Sequence, residues 1–600
     1  SSAASDVYKR QQVHMEHFVL NADHHGKLQV AVDMAGDAKG HEIIVSVRSL
    51  KDGKTVYTSN GQTTITHPIN NSDKEQMISG EWASIIPWST ENPNLYVAKL
   101  ELKNPEGKIV QTRETRTGFR TVEFFPQDGV YLNGTKLVVK GINRHSFSVD
   151  GGRTTSAALS RMDALLIKEM NMNAVRSHYP PDEHFLDMCD SLGLVYMDEL
   201  AGWQNGYDSK VGAKLVKEMI ERDVNHPCII LWSNGNEGGW NTQTDPLFAQ
   251  YDRLQKRHMV HPWADFNDLD THHYPTYLTG VARFTNGYKV FMPTEFMHAM
   301  YDQGGGAGLR DFWDRWCTNP LFAGGFIWVY CDEAPKRSDK GGILDSDKSN
   351  APDGVVGPRR EKEGSYYAIR AQWSPIQLKP LLITNHFDGS FLLTNEYTFT
   401  NLKECRMTYK VLSCGTPLKG DAEAGKVIAE GKVQLPSINP GETGTACFEL
   451  PDSFRKGDVL ELEAFDREGK SICNWTYPIH LAKQYFERNL SQTTLTPAPQ
   501  KAEARQTSDA IELKSSIVSI TFDAATGMIR HIKSGETEIP FKDGPVAVGM
   551  KMRYEPSLSY TRHSSDGAIY CAKYKGAADS IVWRLTNEGL LYMDAICLLY

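Results

Sequence analysis

The sequence predicts a multidomain protein in which a central (β/α)8 TIM barrel is flanked by immunoglobulin-like β-sandwich domains and followed by a partial C-terminal β-sandwich. Its 600 residues are too many for one core, since domains average about 100–200 residues. Strand and helix periodicities alternate through the middle of the chain, whereas short alternating strands recur on both sides. The first pattern predicts the barrel and the second predicts the sandwiches.

Composition excludes several classes of partner. With 65 Lys and Arg against 74 Asp and Glu, the net charge is -9, so no global basic field is present to bind nucleic acid. No stretch reaches the ~18 consecutive apolar residues of a membrane helix, and we expect no membrane partner. The ten cysteines form no C-x-x-C pair and no zinc-type cluster, so neither a metal site nor a redox centre is predicted.

Changes of pattern set the domain boundaries. The N-terminus has no charged segment followed by an apolar one, so it is interpreted as a non-native or disordered leader and leaves the compartment open. A Pro/Gln/Thr-rich stretch at 492–500 is typical of a linker, and the last residues resemble an unfinished strand, which predicts a C-terminal truncation. The predicted segments are a leader at 1–12, an immunoglobulin-like sandwich at 13–125, the barrel at 126–380, a second immunoglobulin-like sandwich at 381–485 and a partial large β-sandwich at 500–600.

Strand and helix patterns follow one another within the barrel segment. Apolar residues recur at helical spacing from Leu159 to Met170, and a second helix from Phe185 stops at Gly193, a suitable C-cap. A doubly wound sheet would share this pattern, but no G-x-G-x-x-G follows the strands, which disfavours a nucleotide site. The predicted strands are 174–176, 194–197, 228–232, 289–292 and 326–330.

The flanking segments alternate apolar and polar residues with a period of two, as half-buried strands do. The turn signals Asp52-Gly53 and Asn60-Gly61 separate strands of the first sandwich. The strand patterns that predict the two sandwiches are 28–32, 43–47 and 95–100 before the barrel, and 391–395 and 459–464 after it.

Two carboxylates directly follow apolar strands of the barrel segment. Glu237 comes after 228–232 and Glu295 after 289–292, and working side chains of such barrels stand where strands end. Two facing carboxyls suit glycoside hydrolysis, in which one with a raised pKa protonates the leaving oxygen and the other attacks the anomeric carbon. An isolated Glu is more often a solvated loop residue, but two at strand ends favour the catalytic interpretation.

These carboxylates lie within motifs that extend over the barrel segment. In order and spacing the motifs make the chain similar to glycoside hydrolase family 2, bacterial β-galactosidase type, a family that also contains β-glucuronidases and β-mannosidases. The resemblance covers nearly the whole barrel and, more weakly, the flanking β domains. The stretches that carry it are Leu132-Asn133-Gly134, Gly141 to His145, Asn173 to Pro180, Asp198-Glu199, Asn225-His226-Pro227, Gly235 to Glu237, Thr294 to Met300 and Gly324 to Trp328.

The resemblance implies a retaining mechanism with Glu237 as general acid/base and Glu295 as nucleophile. It further implies that Asn236 binds the sugar 2-hydroxyl and that Arg176 orients Glu295. Tyr274 or Tyr277 would lie beside the nucleophile, and the sequence does not choose between them. The other implied substrate-binding residues are His145, His178, Asp198, His298 and Trp328, the last as a stacking floor, with a packing role as an equal alternative for His145 and Asp198.

The chain departs from the family pattern in two places. Where β-galactosidase relatives have a Glu and a His that bind magnesium, this chain has Trp203 and Asn205. An indole cannot ligate a hard dication, so we predict that the magnesium site is lost and that no cofactor is needed. The family's N-terminal jelly roll is also expected to be missing from this chain.

The leading hypothesis is a retaining exo-β-glycosidase, a β-galactosidase, acting on an oligo- or polysaccharide. The alternative is a β-glucuronidase or an enzyme of decorated, acidic galactans, because Arg359, Arg360 and Lys362 could bind a uronate or sulfate if they are not merely a solvated face. The Asn-x-Lys pair typical of β-glucuronidases is not evident. A third hypothesis is a non-catalytic carbohydrate-binding protein, which would not need both Glu237 and Glu295. Assembly into a homo-oligomer is left open.

Overall fold

The computed structural model describes residues 12–285, 287–298, 306–348, 350–414, 425–484, 500–541, 544–546, 552–576 and 578–597. The described residues form two compact units, one within 12–414 and 425–479 and the other within 480–597. The predicted leader and linker lie almost wholly outside the described residues. Within the described part of the chain, no helix has the length and apolar character needed to cross a membrane.

The first domain is an antiparallel β-sandwich. One sheet has the order β1-β2-β6, and the other has the order β4-β3-β7-β8 with β5 also on β3. Inward-facing side chains of the two sheets, such as Val30, Val45 and Leu100, are fully buried because alternate residues of a strand face the core. The strands are β1 (His14–Ala22), β2 (Lys27–Ala35), β3 (Glu42–Ser49), β4 (Thr55–Val56), β5 (Thr64–Pro68), β6 (Glu75–Glu81), β7 (Tyr96–Lys103) and β8 (Ile109–Thr117).

A small antiparallel sheet precedes the barrel, made of β9 (Val122–Phe125), β10 (Gly129–Leu132) and β11 (Thr135–Lys136). The barrel strands run in the order β16-β15-β14-β13-β12-β20, with β18 and β19 paired in parallel nearby. A parallel bridge from Phe291 to Phe322 connects β19 to the segment of β20. The strands are β12 (Val139–Asn143), β13 (Ala174–Arg176), β14 (Val195–Trp203), β15 (Ile229–Asn236), β16 (Met259–Val260), the antiparallel β17 (Asp265–Phe266), β18 (Leu269–Asp270), β19 (Val290–Phe291) and β20 (Gly324–Ile327).

Helices alternate with these strands, as predicted, except at one place. Between β16 and β18 the chain contains only β17, so residues 261–268 hold no helix. Gly193 ends its helix with a φ of 68°, and a Cβ there would lie 2.6 Å from the Thr90 carbonyl oxygen, which explains the predicted glycine cap. The helices are α1 (Ala157–Glu169), α2 (Glu183–Leu192), α3 (Ser209–Asp223), α4 (Asp245–Tyr251), α5 (Thr279–Ala282), α6 (Leu309–Trp316) and α7 (Gly364–Gln372).

A hairpin and a second antiparallel β-sandwich follow β20 within the same compact unit. The sandwich pairs a β23-β24-β27 sheet with a β26-β25-β28-β29 sheet around buried residues such as Leu393, Val411 and Leu460. The strands are β21 (Lys336–Arg337), β22 (Ile343–Leu344), β23 (Ile376–Leu378), β24 (Ser390–Asn395), β25 (Arg406–Ser413), β26 (Lys426–Val433), β27 (Thr443–Cys447), β28 (Val459–Phe465) and β29 (Ser471–Pro478).

The second unit contains two antiparallel sheets with the orders β30-β31-β32-β33-β34 and β35-β36-β37-β38. Phe522, Tyr570 and Trp583 are buried between them. The expected terminal strand is β38, which pairs with β37. The strands are β30 (Glu503–Gln506), β31 (Ala510–Lys514), β32 (Val518–Asp523), β33 (Ile529–Ser534), β34 (Thr537–Ile539), β35 (Met552–Ser564), β36 (Gly567–Gly576), β37 (Ala578–Thr586) and β38 (Leu591–Cys597).

Candidate active site

Polar side chains gather where the parallel strands of the barrel end. Because the carboxyl ends of parallel strands meet at one rim, residues distant in sequence are brought together there. β12 ends at Asn143, β13 at Arg176 and β15 at Asn236, with Glu237 next in the chain. Glu295 follows β19 and Trp328 follows β20. The residues that follow these strands in the sequence therefore lie together in the structure.

Glu237 and Glu295 share this cluster. Nδ1 of His273 lies 3.0 Å from Oε1 of Glu237 and 3.4 Å from Oε2 of Glu295. The three side chains offer ligand-type atoms that all lie within 4.8 Å of one another. Two carboxyl groups at this separation can act on the two atoms of a single bond, one as acid and the other as nucleophile.

The backbone at Glu237 turns sharply. Glu237 has a φ of 46°, and Gly235 just before it has a φ of 78°. A Cβ at Gly235 would lie 2.4 Å from the Gly239 carbonyl oxygen, so the close approach of these backbones requires glycine. A left-handed conformation costs a residue other than glycine roughly 1–3 kcal/mol and concentrates at functional sites. The turn places the Glu237 carboxyl beside His273 instead of along the strand.

Arg176 connects the buried polar side chains that form the floor of the site, namely Asn143, Glu199, Asn236 and Glu295. Its fully buried guanidinium donates from Nη1 to Oε1 of Glu295 at 3.1 Å and to Oδ1 of Asn143 at 3.0 Å. Nη2 donates to Oδ1 of Asn236 at 2.7 Å, and Nε donates to Oε2 of Glu199 at 2.9 Å. A buried charge is tolerated only when it is paired and hydrogen-bonded, and Arg176 satisfies both conditions.

Glu295 is surrounded by donors. The Tyr274 hydroxyl donates to Oε2 at 2.5 Å, and Nε2 of His178 lies 2.9 Å from Oε1. Burial by itself would raise the pKa of Glu295. The neighbouring His273, the His178 hydrogen bond and Arg176 act the other way and hold the pKa of Glu295 well below its usual range. Glu295 is therefore a carboxylate at neutral pH.

Burial lowers the pKa of His178 to about 3, against the opposing effect of its hydrogen bond to Glu295. The ring is consequently neutral at physiological pH, so its contact with Glu295 is a hydrogen bond from an N–H group and not an ion pair.

Glu237 has a different environment from the one expected of a general acid. Oε2 accepts a hydrogen bond from Nε1 of Trp203 at 2.9 Å, and Oε1 contacts His273. The hydrogen bond to His273 lowers the pKa of Glu237, burial opposes this effect, and the Trp203 bond lowers the pKa further. The raised pKa expected of a general acid is therefore wrong for the free site, because Nε1 of Trp203 contacts one oxygen of Glu237 and Nδ1 of His273 contacts the other.

The structure chooses between the two candidate tyrosines. Tyr274 lies on Glu295, as described above. Tyr277 is 42% exposed and packs edge-on against Phe312 at 5.7 Å between ring centroids. Its place beside the nucleophile is therefore ruled out, and the loop turns away from the site within three residues.

Asp198 was predicted to bind substrate, and the structure contradicts this. Neighbouring residues of β14 point to opposite sides of the sheet: Glu199 faces Arg176 and Ser233 inside the barrel, whereas Asp198 faces Asp223 at the end of α3. Burial, together with the charge of Asp223, raises the pKa of Asp198 well above its usual range. Glu199 is one of the site residues that the sequence did not reveal, although strict strand alternation requires one of the two acids to face inward.

Trp328 forms one wall with three predicted histidines. Its ring lies 5.0 Å from His178, 5.4 Å from His145 and 6.0 Å from His298 between centroids. Nε1 of Trp328 donates to Oδ2 of Asp353 at 3.0 Å. The predicted residues at this wall are thus neighbours in space.

Two acids that the sequence analysis missed support this wall. Oε1 of Glu333 lies 2.8 Å from Nδ1 of His145, and Oδ2 of Asp353 lies 3.5 Å from Nε2 of His298. Burial raises the pKa of Asp353 to about 6. Their positions in an irregular segment after β20 gave no periodic signal. His273 was missed for the same reason, since it lies in a loop.

Among the described residues, two groups of side chains are spaced closely enough to hold a metal ion. Asp190, His226 and Cys228 lie where β15 begins, away from its carboxyl end. There Asp190 already accepts a hydrogen bond from the Cys228 backbone N–H and contacts His226. The other group is that of Glu237, where the charge of Arg176 already balances Glu295. Trp203 does not fit a magnesium ion, because its indole has no oxygen ligand and its N–H group is bonded to Glu237, so of this pair Asn205 alone has a side-chain oxygen to offer.

The cationic run considered as a binding site for acidic sugars is paired within the barrel. Arg360 is buried, with Nε 2.7 Å from Oδ1 of Asp163. Lys362 pairs with Glu169 at 2.7 Å, and Arg359 lies 3.6 Å from Asp150. Arg360 is thus a structural residue, whereas Lys362 and Arg359 form ion pairs nearer the surface, so the run gives no specific support for an anionic substrate.

The chain matches three family descriptions. Residues 126–343 match "Glycosyl hydrolases family 2, TIM barrel domain", residues 13–120 match "Glycosyl hydrolases family 2", and residues 391–473 match "Beta-galactosidase, domain 4". Together they cover the first sandwich, most of the barrel and the second sandwich.

Two curated relatives are named β-galactosidases. A β-galactosidase of Priestia megaterium is 29% identical over 490 residues, which is 72% of this chain and 45% of the relative. One of Pectobacterium atrosepticum is 31% identical over 431 residues, which is 62% of this chain and 38% of the relative. The chain thus spans less than half the length of these two relatives.

A solved structure shares the architecture. A β-glucuronidase of Parabacteroides merdae superposes with a TM-score of 0.51 and 15% identity, covering 98% of this chain and 78% of that chain. At this identity the likeness shows the fold alone. The family matches, by contrast, show that the chain belongs to glycoside hydrolase family 2 and is of the β-galactosidase type.

Proposed function

We propose that the protein is a retaining exo-β-glycosidase that removes terminal β-galactosyl units from oligo- or polysaccharides. The observation that carries the proposal is that a carboxylate oxygen of Glu237 and one of Glu295 lie within 4.8 Å of each other at the strand ends of the barrel. Carboxyls about 5–5.5 Å apart are typical of retention, whereas inversion needs room for a water between them.

Glu295 is the nucleophile in this proposal. Its carboxylate attacks the anomeric carbon, the bond to the leaving oxygen breaks, and that oxygen takes the pair of electrons together with a proton from Glu237. Glu237 then removes a proton from water, which displaces Glu295 and restores it. Arg176 stabilises the Glu295 carboxylate before attack and after release, and Tyr274 does so through its hydroxyl.

Glu237 is half-buried with a lowered pKa, so its acid form is populated toward lower pH. The charge of Glu295 acts in the opposite direction and raises the pKa of Glu237. Loss of that charge in the glycosyl-enzyme lowers the pKa of Glu237 again, which suits its second role as base.

The remaining polar groups bind the sugar. Arg176 occupies Oδ1 of Asn236, so the amide nitrogen is the group that donates to the 2-hydroxyl. Trp328 offers a ring face, and His145, His178 and His298 lie next to it. Galactose is favoured over a uronate because the acids Asp353 and Glu333 support this wall, where a sugar carboxylate would meet like charge.

The direct test uses Glu295→Gln, with Glu218→Gln as the matched control. Glu218 is an exposed helix residue paired with Lys214. Turnover of an aryl β-galactoside should be lost in Glu295→Gln and unchanged in the control, and NMR of the first product should show the β anomer. A panel of aryl β-galactoside, β-glucuronide, β-mannoside and β-glucoside tests the glycone. A chain that turns over none of them, although folded, would be a non-catalytic binding protein.

A further inference from the structure

Trp203 is the last residue of β14 and the most exposed tryptophan at the site, with 64% of its surface accessible. An exposed aromatic residue by itself needs no explanation. Trp203, however, is hydrogen-bonded to the proposed general acid/base, because its Nε1 donates to Oε2 of Glu237 at 2.9 Å.

The backbone fixes the position of Trp203. Its partner in the parallel ladder of β14 and β15 is Asn236, and the backbone N–H of Gln204 donates to the backbone carbonyl oxygen of Asn236 at 3.2 Å. A Cβ at Gly239 would lie 2.5 Å from the Trp203 backbone nitrogen. Only a glycine permits this contact, and the loop after Glu237 therefore holds the end of β14 tightly.

A second exposed indole approaches Glu237 through His273. Trp263 is 51% exposed, and its ring is stacked near His273 with 6.3 Å between centroids. His273 in turn contacts Oε1 of Glu237. Each oxygen of Glu237 is thus bordered by an exposed tryptophan, one directly and one through the imidazole. Trp328, in contrast, reaches the site through His178 on the Glu295 side.

Geometry decides what lies beside Trp203. The group that protonates the glycosidic oxygen must be within hydrogen-bond reach of it, so the first atoms of the leaving group lie next to Glu237. An indole bonded to Glu237 must therefore border the leaving group. Its flat face matches the C–H face of a pyranose, and the exposed polar residues Gln204 and Asn205 adjoin it, as hydroxyl groups would require.

We propose that Trp203, assisted by Trp263, binds the sugar unit on the leaving-group side, so that the enzyme prefers a sugar as leaving group to a small group that cannot reach the indole. This inference rests on the proposed function and extends it from the removed sugar to its neighbour.

The test compares two substrates that share the removed sugar. A β-galactosyl fluoride has a leaving group too small to touch Trp203, whereas a β-galactosyl disaccharide places a sugar there. Trp203→Ala should lower kcat/KM for the disaccharide relative to the fluoride by about tenfold, the value of one aromatic contact. Trp203→Phe, which keeps a ring face, should recover most of that ratio, and Trp263→Ala should lower it less.

Tyr57→Ala, at an exposed aromatic residue of the first sandwich, is the control and should leave the ratio unchanged. A second measurement follows transfer of galactose from the fluoride to added glucose instead of to water, which should fall in Trp203→Ala. Equal losses on both substrates, or a change of oligomeric state in Trp203→Ala, would show that Trp203 contacts protein and would overturn the inference. If the wild-type protein turns over neither substrate, the proposed function fails as well.

Discussion

Glu295 and Glu237 face each other across the site, but they are held in opposite ways. Glu295 is 2% exposed and is bonded by Arg176, His178 and Tyr274, which belong to the barrel interior and its inner loops. Glu237 is 20% exposed and takes its hydrogen bonds from His273 and from Trp203 at the rim. A fixed charge is thus built into the floor, and a titrating group is placed at the opening.

The difference suits the two proposed roles. A nucleophile must stay ionised and keep one position, which a buried ion-pair network secures. An acid/base must exchange protons with leaving groups and water, which requires access. Changes at the floor should therefore act on every substrate, whereas changes at the rim should depend on the leaving group.

Glu237→Gln should lower turnover of glycosides with poor leaving groups by about 10²–10⁴, the usual contribution of a general acid. Glycosides with activated leaving groups need less protonation and should be affected far less. The measurement is kcat/KM across a series of leaving groups. Equal losses across the series would place Glu237 in a structural role and remove the contrast.

Arg176→Met should reduce kcat/KM by roughly 10²–10³ for all leaving groups alike, because the charge that stabilises Glu295 is lost. Glu199 would also be left without its cation, and removing one partner of a buried pair costs about 3–5 kcal/mol of folding stability. Thermal unfolding measures the second effect. Arg337→Met, which removes a surface pairing with Asp345, is the control for the loss of an arginine.

Tyr274→Phe should slow all substrates about ten- to a hundredfold, since a hydrogen bond to a charged group contributes roughly 1.5–3 kcal/mol. Tyr277→Phe makes the same chemical change three residues away, outside the site, and should leave kcat/KM unchanged. A similar loss in both variants would contradict the assignment of Tyr274 to Glu295.

Trp203→Phe should move the pH profile. The Trp203 N–H group lowers the pKa of Glu237, so its removal raises that pKa. The reaction needs Glu237 protonated, and the alkaline limb of kcat/KM should therefore shift to higher pH. The acid limb, set by Glu295, should stay in place. A shift to lower pH would show that the Trp203 hydrogen bond stabilises the acid form.

Much of the fold could be predicted from the sequence because the signals were periodic. Strands such as β13 and the glycine cap at Gly193 follow from hydrophobic period and backbone conformation. The absence of a helix between β16 and β18 was not predicted, because the repeated βα pattern of the barrel gives no signal that one of its units lacks a helix. The position of Glu237 and Glu295 at one rim follows directly from strand ends and barrel topology.

The finer chemistry could not be predicted because it depends on side-chain direction. One position along β14 separates Glu199 inside the barrel from Asp198 outside it, and three positions separate Tyr274 from the exposed Tyr277. The pKa of Glu237 depends on His273 and Trp203, which approach from other strands and loops. Contacts of this kind leave no trace in a local pattern.

Covalent trapping measures directly whether Glu295 is the nucleophile of a retaining mechanism. A 2-deoxy-2-fluoro-β-galactoside with an activated leaving group slows the second step of a retaining enzyme, and peptide mass spectrometry then locates the attached sugar. One sugar per chain, attached to Glu295, is the expected result. A label on Glu237 or on another residue, or turnover with an inverted first product and no label, would contradict it.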